Sequence, residues 1–229
     1  LSQLGPIRPG LLLIDDSTTN ACVGVDERIS NHPSIAVAST PPLSVPQGRN
    51  IGHYIVKTRI QRAEWICRLD TDDVLASTNS IEQIYHQLQA ADSTVQWALA
   101  GNRLVEEGSL LNRVNEATLD LSNPTYVLDR LQSMANGESK AELPSCNLWI
   151  RTGFKAVYPG VESAEDHWLV AHLLINQMDE GLLLTDAIHA VYSLSGGVTL
   201  QNKHSDQYQF SRHRLHETAR YWVGGEIEA

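Results

Sequence analysis

Three carboxylates in four positions follow an apolar run in Trp65-Ile66-Cys67-Arg68-Leu69-Asp70-Thr71-Asp72-Asp73. Two such groups about 5–6 Å apart repel by about 3 kcal/mol at an effective dielectric of about 20. A divalent cation bridging to a phosphate reverses that sign, because hard cations take oxygen ligands. The plainer reading is a solvated acidic turn, since Asp is a common turn residue. A second acidic pair ends the apolar run Leu11-Leu12-Leu13-Ile14, as Asp15-Asp16-Ser17-Thr18. Such a run reads as a buried parallel strand. Ligands of open α/β sheets bind beyond the carboxyl ends of the strands, where acids can accept hydrogen bonds from a base or ribose. Asp16 or Ser17 also suits the cap of a following helix.

A third acidic site lies far along the chain, in Ser163-Ala164-Glu165-Asp166-His167-Trp168. Ser163 and Asp166 have the spacing of a capping box. A carboxylate at a helix N-terminus is also stabilised as the anion, which a general base working near neutral pH requires. The two roles are compatible.

The elements that must position these groups alternate between strand-like and helical patterns, the mark of a layered α/β sheet. Ile35 to Ala38 and Val95 to Ala100 read as strands, and Gly48 to Ala63 as a helix with Ile51 and Ile55 facing the sheet. Ile81, Ile84, Tyr85 and Leu88 fall at i, i+3, i+4 and i+7, which predicts a helix over Ser80 to Ala91. Asn123-Pro124 reads as a cap and first helical position, with Val127, Leu128, Leu131 and Met134 as the buried stripe. Pro144 to Ile150 reads as a short strand with small polar residues at its start, and Ser163 to Gln177 as a helix. A last helix, Asp206 to Trp222, carries Arg212, His213, Arg214, His216 and Arg220 as a weakly basic face, either solvated or set against an acceptor or a homo-oligomer partner.

The 229 residues, 42% of them hydrophobic, suffice for one α/β domain. A net charge of −10 disfavours a nucleic-acid-binding surface, which needs clustered Lys and Arg. Cys22, Cys67 and Cys146 have neither zinc-site nor disulfide-framework spacing, and a reducing cytoplasm is the expectation. No stretch approaches the roughly 20 apolar residues of a membrane span, and Leu1-Ser2-Gln3-Leu4 lacks signal-peptide character.

In order and spacing, four segments resemble the family 2 glycosyltransferases: Asp15-Asp16-Ser17-Thr18, Gln47-Gly48-Arg49-Asn50-Ile51-Gly52, Asp70-Thr71-Asp72-Asp73, and Ser163 to Trp168. The resemblance implies the GT-A fold: a Rossmann-like, mostly parallel central sheet with helices on both faces and a mixed C-terminal acceptor half. One domain, 1–229, would divide into a nucleotide-binding half of about 1–100 and an acceptor half of about 101–229. The activity implied is metal-dependent, inverting transfer of a sugar from a nucleotide-diphospho-sugar, a UDP-sugar first, to an acceptor hydroxyl by single displacement.

The resemblance also implies residue roles. Asp16, with Asp15 as the close alternative, matches the position that hydrogen-bonds the uracil, and Arg49 the arginine that reaches the nucleotide. Asp70 lies nearer the ribose and Asp72 on a Mn2+ or Mg2+ ion, with Asp73 sharing or taking over the metal contact. Asp166 is the base, with Glu165 positioning acceptor or base and His167 packed beside them. Members often carry a late Tyr-Arg-x-His segment whose His completes the metal shell. Here Tyr192-Ser193-Leu194-Ser195 keeps only the Tyr, and His204 is the nearest later candidate. Gly196-Gly197-Val198-Thr199 resembles the loop that orders over the donor. The family's opening strand, with its Pro-x-Tyr-Asn-like turn, has no counterpart before Leu11, where Leu1 to Gly10 reads as the tail of a helix. The competing readings are a catalytically inactive sugar-nucleotide-binding or scaffold protein and a sugar-nucleotidyltransferase, the latter disfavoured by the lack of a Gly-rich phosphate loop.

Overall fold

The computed structural model describes residues 9–15, 35–70, 73–106, 109–138, 143–161, 163–193 and 205–224. Asp16, Asp72, His204, Cys22 and the Gly196–Thr199 segment lie outside the described residues. Two compact units make up the chain, Leu1–Glu64 and Trp65–Ala229.

In the first unit, β1 (Leu11–Asp15) pairs in parallel with β2 (Ile35–Ser39), Leu11 opposite Ile35 and Asp15 opposite Ser39. The pairing is parallel, as expected of this segment, though the apolar run alone does not fix its direction. Full burial is not found, since Leu11 is 47% and Val37 39% exposed. Helix α1 (Val45–Arg59) starts three residues before the expected Gly48. Ser44 is its cap residue, Gln47 Oε1 accepts the Ser44 N–H at 2.9 Å, and Pro46 takes an early position where no N–H is needed. Arg49 sits in this helix, half-buried.

The second unit is an α/β layer structure built on a six-stranded sheet. Its strands are β3 (Trp65–Cys67), β4 (Val74–Leu75), β5 (Trp97–Glu106), β6 (Ser109–Asn115), β7 (Leu148–Arg151) and β8 (Gly181–Ser193). The order is β3-β7-β5-β8-β4, with β6 on β5. Only β5–β8 is parallel, and the other pairings are antiparallel. The expected mostly parallel central sheet is therefore not what these strands form; the sheet is mixed. An apolar run reports burial on both faces and carries no strand direction, so the sequence pattern could not separate the two.

Burial on both faces is clear in β5. Trp97 and Leu99 face one core and Ala98 and Ala100 the other, all fully buried. Helix α2 (Ser80–Ala90) covers the second face with Ile84 and Leu88. Helices α3 (Pro124–Ala135), α4 (Glu165–Asn176) and α5 (Asp206–Gly224) cover the first, through Val127, Leu131, Met134, Leu173 and Leu215. Each such side chain contributes about 1.5–3 kcal/mol on burial. Asn123 Oδ1 accepts the Thr125 N–H at 3.0 Å, capping α3 as its sequence predicts. In α5, Arg212 leaves the expected basic face: it is 5% exposed, its guanidinium 4.1 Å from the centre of the Tyr208 ring.

The six residues Arg68–Asp73 connect β3 to β4, the two ends of the strand path. In a flat sheet these strands would lie about 19 Å apart at about 4.8 Å per strand. Asp73 donates its N–H to Asp70 O at 3.0 Å, and the sheet is curled. Across the curl, Trp149 of β7 donates its indole N–H to His189 Nδ1 of β8 at 3.0 Å, with β5 lying between the two strands.

Candidate functional site

Arg68 is the first residue after β3. Because β3 runs antiparallel to β7, with Cys67 opposite Trp149, the chain leaving β3 passes the chain entering β7. That sets Arg68 and Asp70 beside the short 3-10 turn Ser145–Asn147, where the sequence reading had placed the start of a strand. The first turn of α4 brings Asp166 to the same place.

The Arg68 side chain is only 11% exposed and reaches two acids. Its Nη2 donates to Asp166 Oδ2 at 3.3 Å, and its Nε lies 3.1 Å from Asp70 Oδ1. Ser145 Oγ donates to the same Asp166 oxygen at 3.0 Å. The other oxygen, Oδ1, accepts the His167 backbone N–H at 2.9 Å and lies 3.1 Å from His167 Nδ1. Burial works to lower the Arg68 pKa, but the charges around it, Asp70 foremost, more than offset that and hold the guanidinium protonated.

The expected Ser163/Asp166 capping box does not form. Ala164 occupies the cap position of α4 with φ of 60°, and no side chain caps it from there. Asp166 still takes one of the free N–H groups of the first turn, that of His167, so it retains a minor structural role while Oδ2 faces Arg68 and Ser145. Glu165 and Asp73 are both buried, each 8% exposed.

Cys146 lies in the same cluster. Burial pushes its thiol up to about 12; Arg68 opposes the rise, and Asp166, Asp73 and Asp70 add to it. Burial likewise pushes Cys67 up to about 12. Both are free, protonated thiols at neutral pH and neither is a nucleophile there. His189 is fully buried, and that burial pushes its imidazole down to about 4. Its Nδ1 accepts from the Trp149 indole, so the neutral ring carries its proton on Nε2.

The structure thus brings together Asp70, Asp73 and Asp166 around Cys146, buries Glu165 at the start of α4, and leaves Asp15 and Arg49 in the other unit. Sequence reasoning missed Arg68, Ser145 and Cys146. The signal for Arg68 was a lone cation between an apolar strand and three acids. Among the described residues, no set of three or more His, Cys, Asp or Glu is arranged to hold a metal ion. Also among the described residues, no helix is long and apolar enough to cross a membrane. Neither a comparison with models of known protein families nor a search of curated proteins finds a match for this chain.

Proposed function

We propose that this chain is a metal-dependent, inverting glycosyltransferase of the GT-A type, moving a sugar from a nucleotide-diphospho-sugar, a UDP-sugar first, to an acceptor hydroxyl. One observation supports this reading above the others: the strand-end acid Asp70 and the helix-start acid Asp166 share one buried arginine, with 98 positions between Arg68 and Asp166. A single displacement at an anomeric carbon needs a base on the side opposite the leaving diphosphate, supplied by an element remote from the diphosphate site. Helices on both faces of the curled sheet are compatible with the GT-A arrangement, its mixed strands with that fold's acceptor half.

Asp166 takes the acceptor hydroxyl proton, a contribution of about 10²- to 10⁴-fold, and Glu165 supports acceptor or base. Asp70 holds the ribose side of the nucleotide. Asp72 and Asp73, with His204, would hold Mn2+ or Mg2+, which when bound would supply Lewis-acid neutralisation of the departing diphosphate. The setting is cytoplasmic.

A second reading has its own observation. Arg68 and Ser145 both donate to Asp166 Oδ2, leaving that oxygen little room for an acceptor proton, as a sugar-nucleotide-binding protein without turnover would tolerate. Incubation of the protein with UDP-glucose or UDP-N-acetylglucosamine and Mn2+ separates the two. Release of UDP that excess chelator abolishes is expected of the enzyme. Saturable binding of the same donors with no UDP release favours the scaffold.

A further inference from the structure

We infer that Arg68 is the positioning residue of this site, holding the Asp166 carboxylate in line while tethered to the acidic turn through Asp70. The inference rests on the glycosyltransferase reading and deepens it. Three features single out Arg68 from an ordinary surface ion pair. It is buried, it contacts carboxylates from two separate elements, and it sits at the one point where the β3 end, the Ser145–Asn147 turn and the α4 start converge. A guanidinium is a rigid planar group, so Arg68 can direct one N–H, that of Nη2, at Asp166 Oδ2 while its charge stays 3.1 Å from Asp70 Oδ1. Lysine carries the same charge on a single flexible point and cannot hold both acids in that geometry.

Asp166 Oδ1 is held within its own helix by the His167 N–H, and Oδ2 accepts from Arg68 and from Ser145. A base that must meet an acceptor hydroxyl at about 2.6–3.2 Å loses rate when it swings, whereas nucleotide affinity does not depend on its angle.

The test is a double-mutant cycle on UDP release from UDP-glucose and UDP-N-acetylglucosamine with Mn2+, using the parent, Arg68→Lys, Asp166→Asn and the double variant. Thermal unfolding of each is followed in parallel. Arg68→Lys is expected to fold, to lower kcat by about tenfold or more, and to leave donor KM within about threefold. In the Asp166→Asn background the same change is expected to cost nothing further, within about threefold, because a residue acting through Asp166 has nothing left to position. Multiplying losses, an Arg68→Lys rate within threefold of the parent, or a loss of cooperative unfolding in Arg68→Lys would each make Arg68 a structural residue and overturn the inference. A parent-like rate for Asp166→Asn would move the base to Glu165 and overturn this inference alone, whereas a parent that releases no UDP from either donor would overturn the glycosyltransferase reading, and this inference with it.

Discussion

Arg68 Nη2 lies 3.3 Å from Asp166 Oδ2, joining the end of β3 to the first turn of α4 across 98 positions of chain. On its other side Arg68 Nε lies 3.1 Å from Asp70 Oδ1, so the guanidinium keeps one acidic partner when the other is neutralised. The acids of the site are therefore not left to repel one another. Arg68 offsets Asp70 and Asp166 in the free protein.

Asp166→Asn removes the proton acceptor and keeps the side-chain volume. Turnover should fall by about 10² or more, while affinity for UDP with Mn2+, measured by calorimetry, stays within about threefold. Asn can still accept the His167 N–H through its amide oxygen, so the start of α4 should survive, with a stability change of about 1 kcal/mol. A rate within threefold of the parent would remove the base role from Asp166 and move it to Glu165.

What could be read from sequence was what is local. The i, i+3, i+4, i+7 stripe of α2 became Ile84 and Leu88 buried at 1% and 2%, and Asn123-Pro124 starts α3. The Ser44/Gln47 spacing that sets the true start of α1 was also present in the sequence, one turn before the Gly48 chosen as its opening. Strand direction was not legible, because both parallel and antiparallel strands buried on two faces are apolar throughout. The Ser163/Asp166 motif misled for a different reason. Local spacing offers a cap, and the tertiary contacts of Asp166 with Arg68 and Ser145 take one oxygen away from it. Arg68 itself was visible as a residue but not as a link, since one of its partners is 98 positions away.

His189 should make stability depend on acid. Its ordinary value of 6.5 falls to about 4 in the folded protein because burial disfavours the charged ring. The unfolded chain then binds the extra proton first. The contribution is fully present above pH 6.5, is lost as pH falls from 6.5 toward 4, and amounts to about 3 kcal/mol over that window. His189→Gln keeps an acceptor for the Trp149 indole and removes the titration. Urea unfolding of parent and variant from pH 7 to 4 should show the parent losing more stability; parallel curves would place the ring in contact with water.

Gly181→Ala should destabilise the second unit by about 1–3 kcal/mol. A Cβ at Gly181 would lie 2.3 Å from Trp97 Cζ2, and the indole cannot swing aside: it is fully buried and its N–H donates to Gln177 O at 2.9 Å. Chemical denaturation checks this, and a change below about 0.5 kcal/mol would mean that β8 and Trp97 pack differently.

The most direct test of a metal-dependent nucleotide site at the acidic turn is UDP binding by calorimetry, with Mn2+ and with excess chelator, on the parent and on Asp72→Asn. The account predicts weak binding in chelator, at least tenfold tighter binding with Mn2+, and loss of that gain, about 1.4 kcal/mol or more, in Asp72→Asn. Retention of the gain in Asp72→Asn would move the metal to Asp73. Equal affinity for UDP with Mn2+ and in chelator would contradict the account.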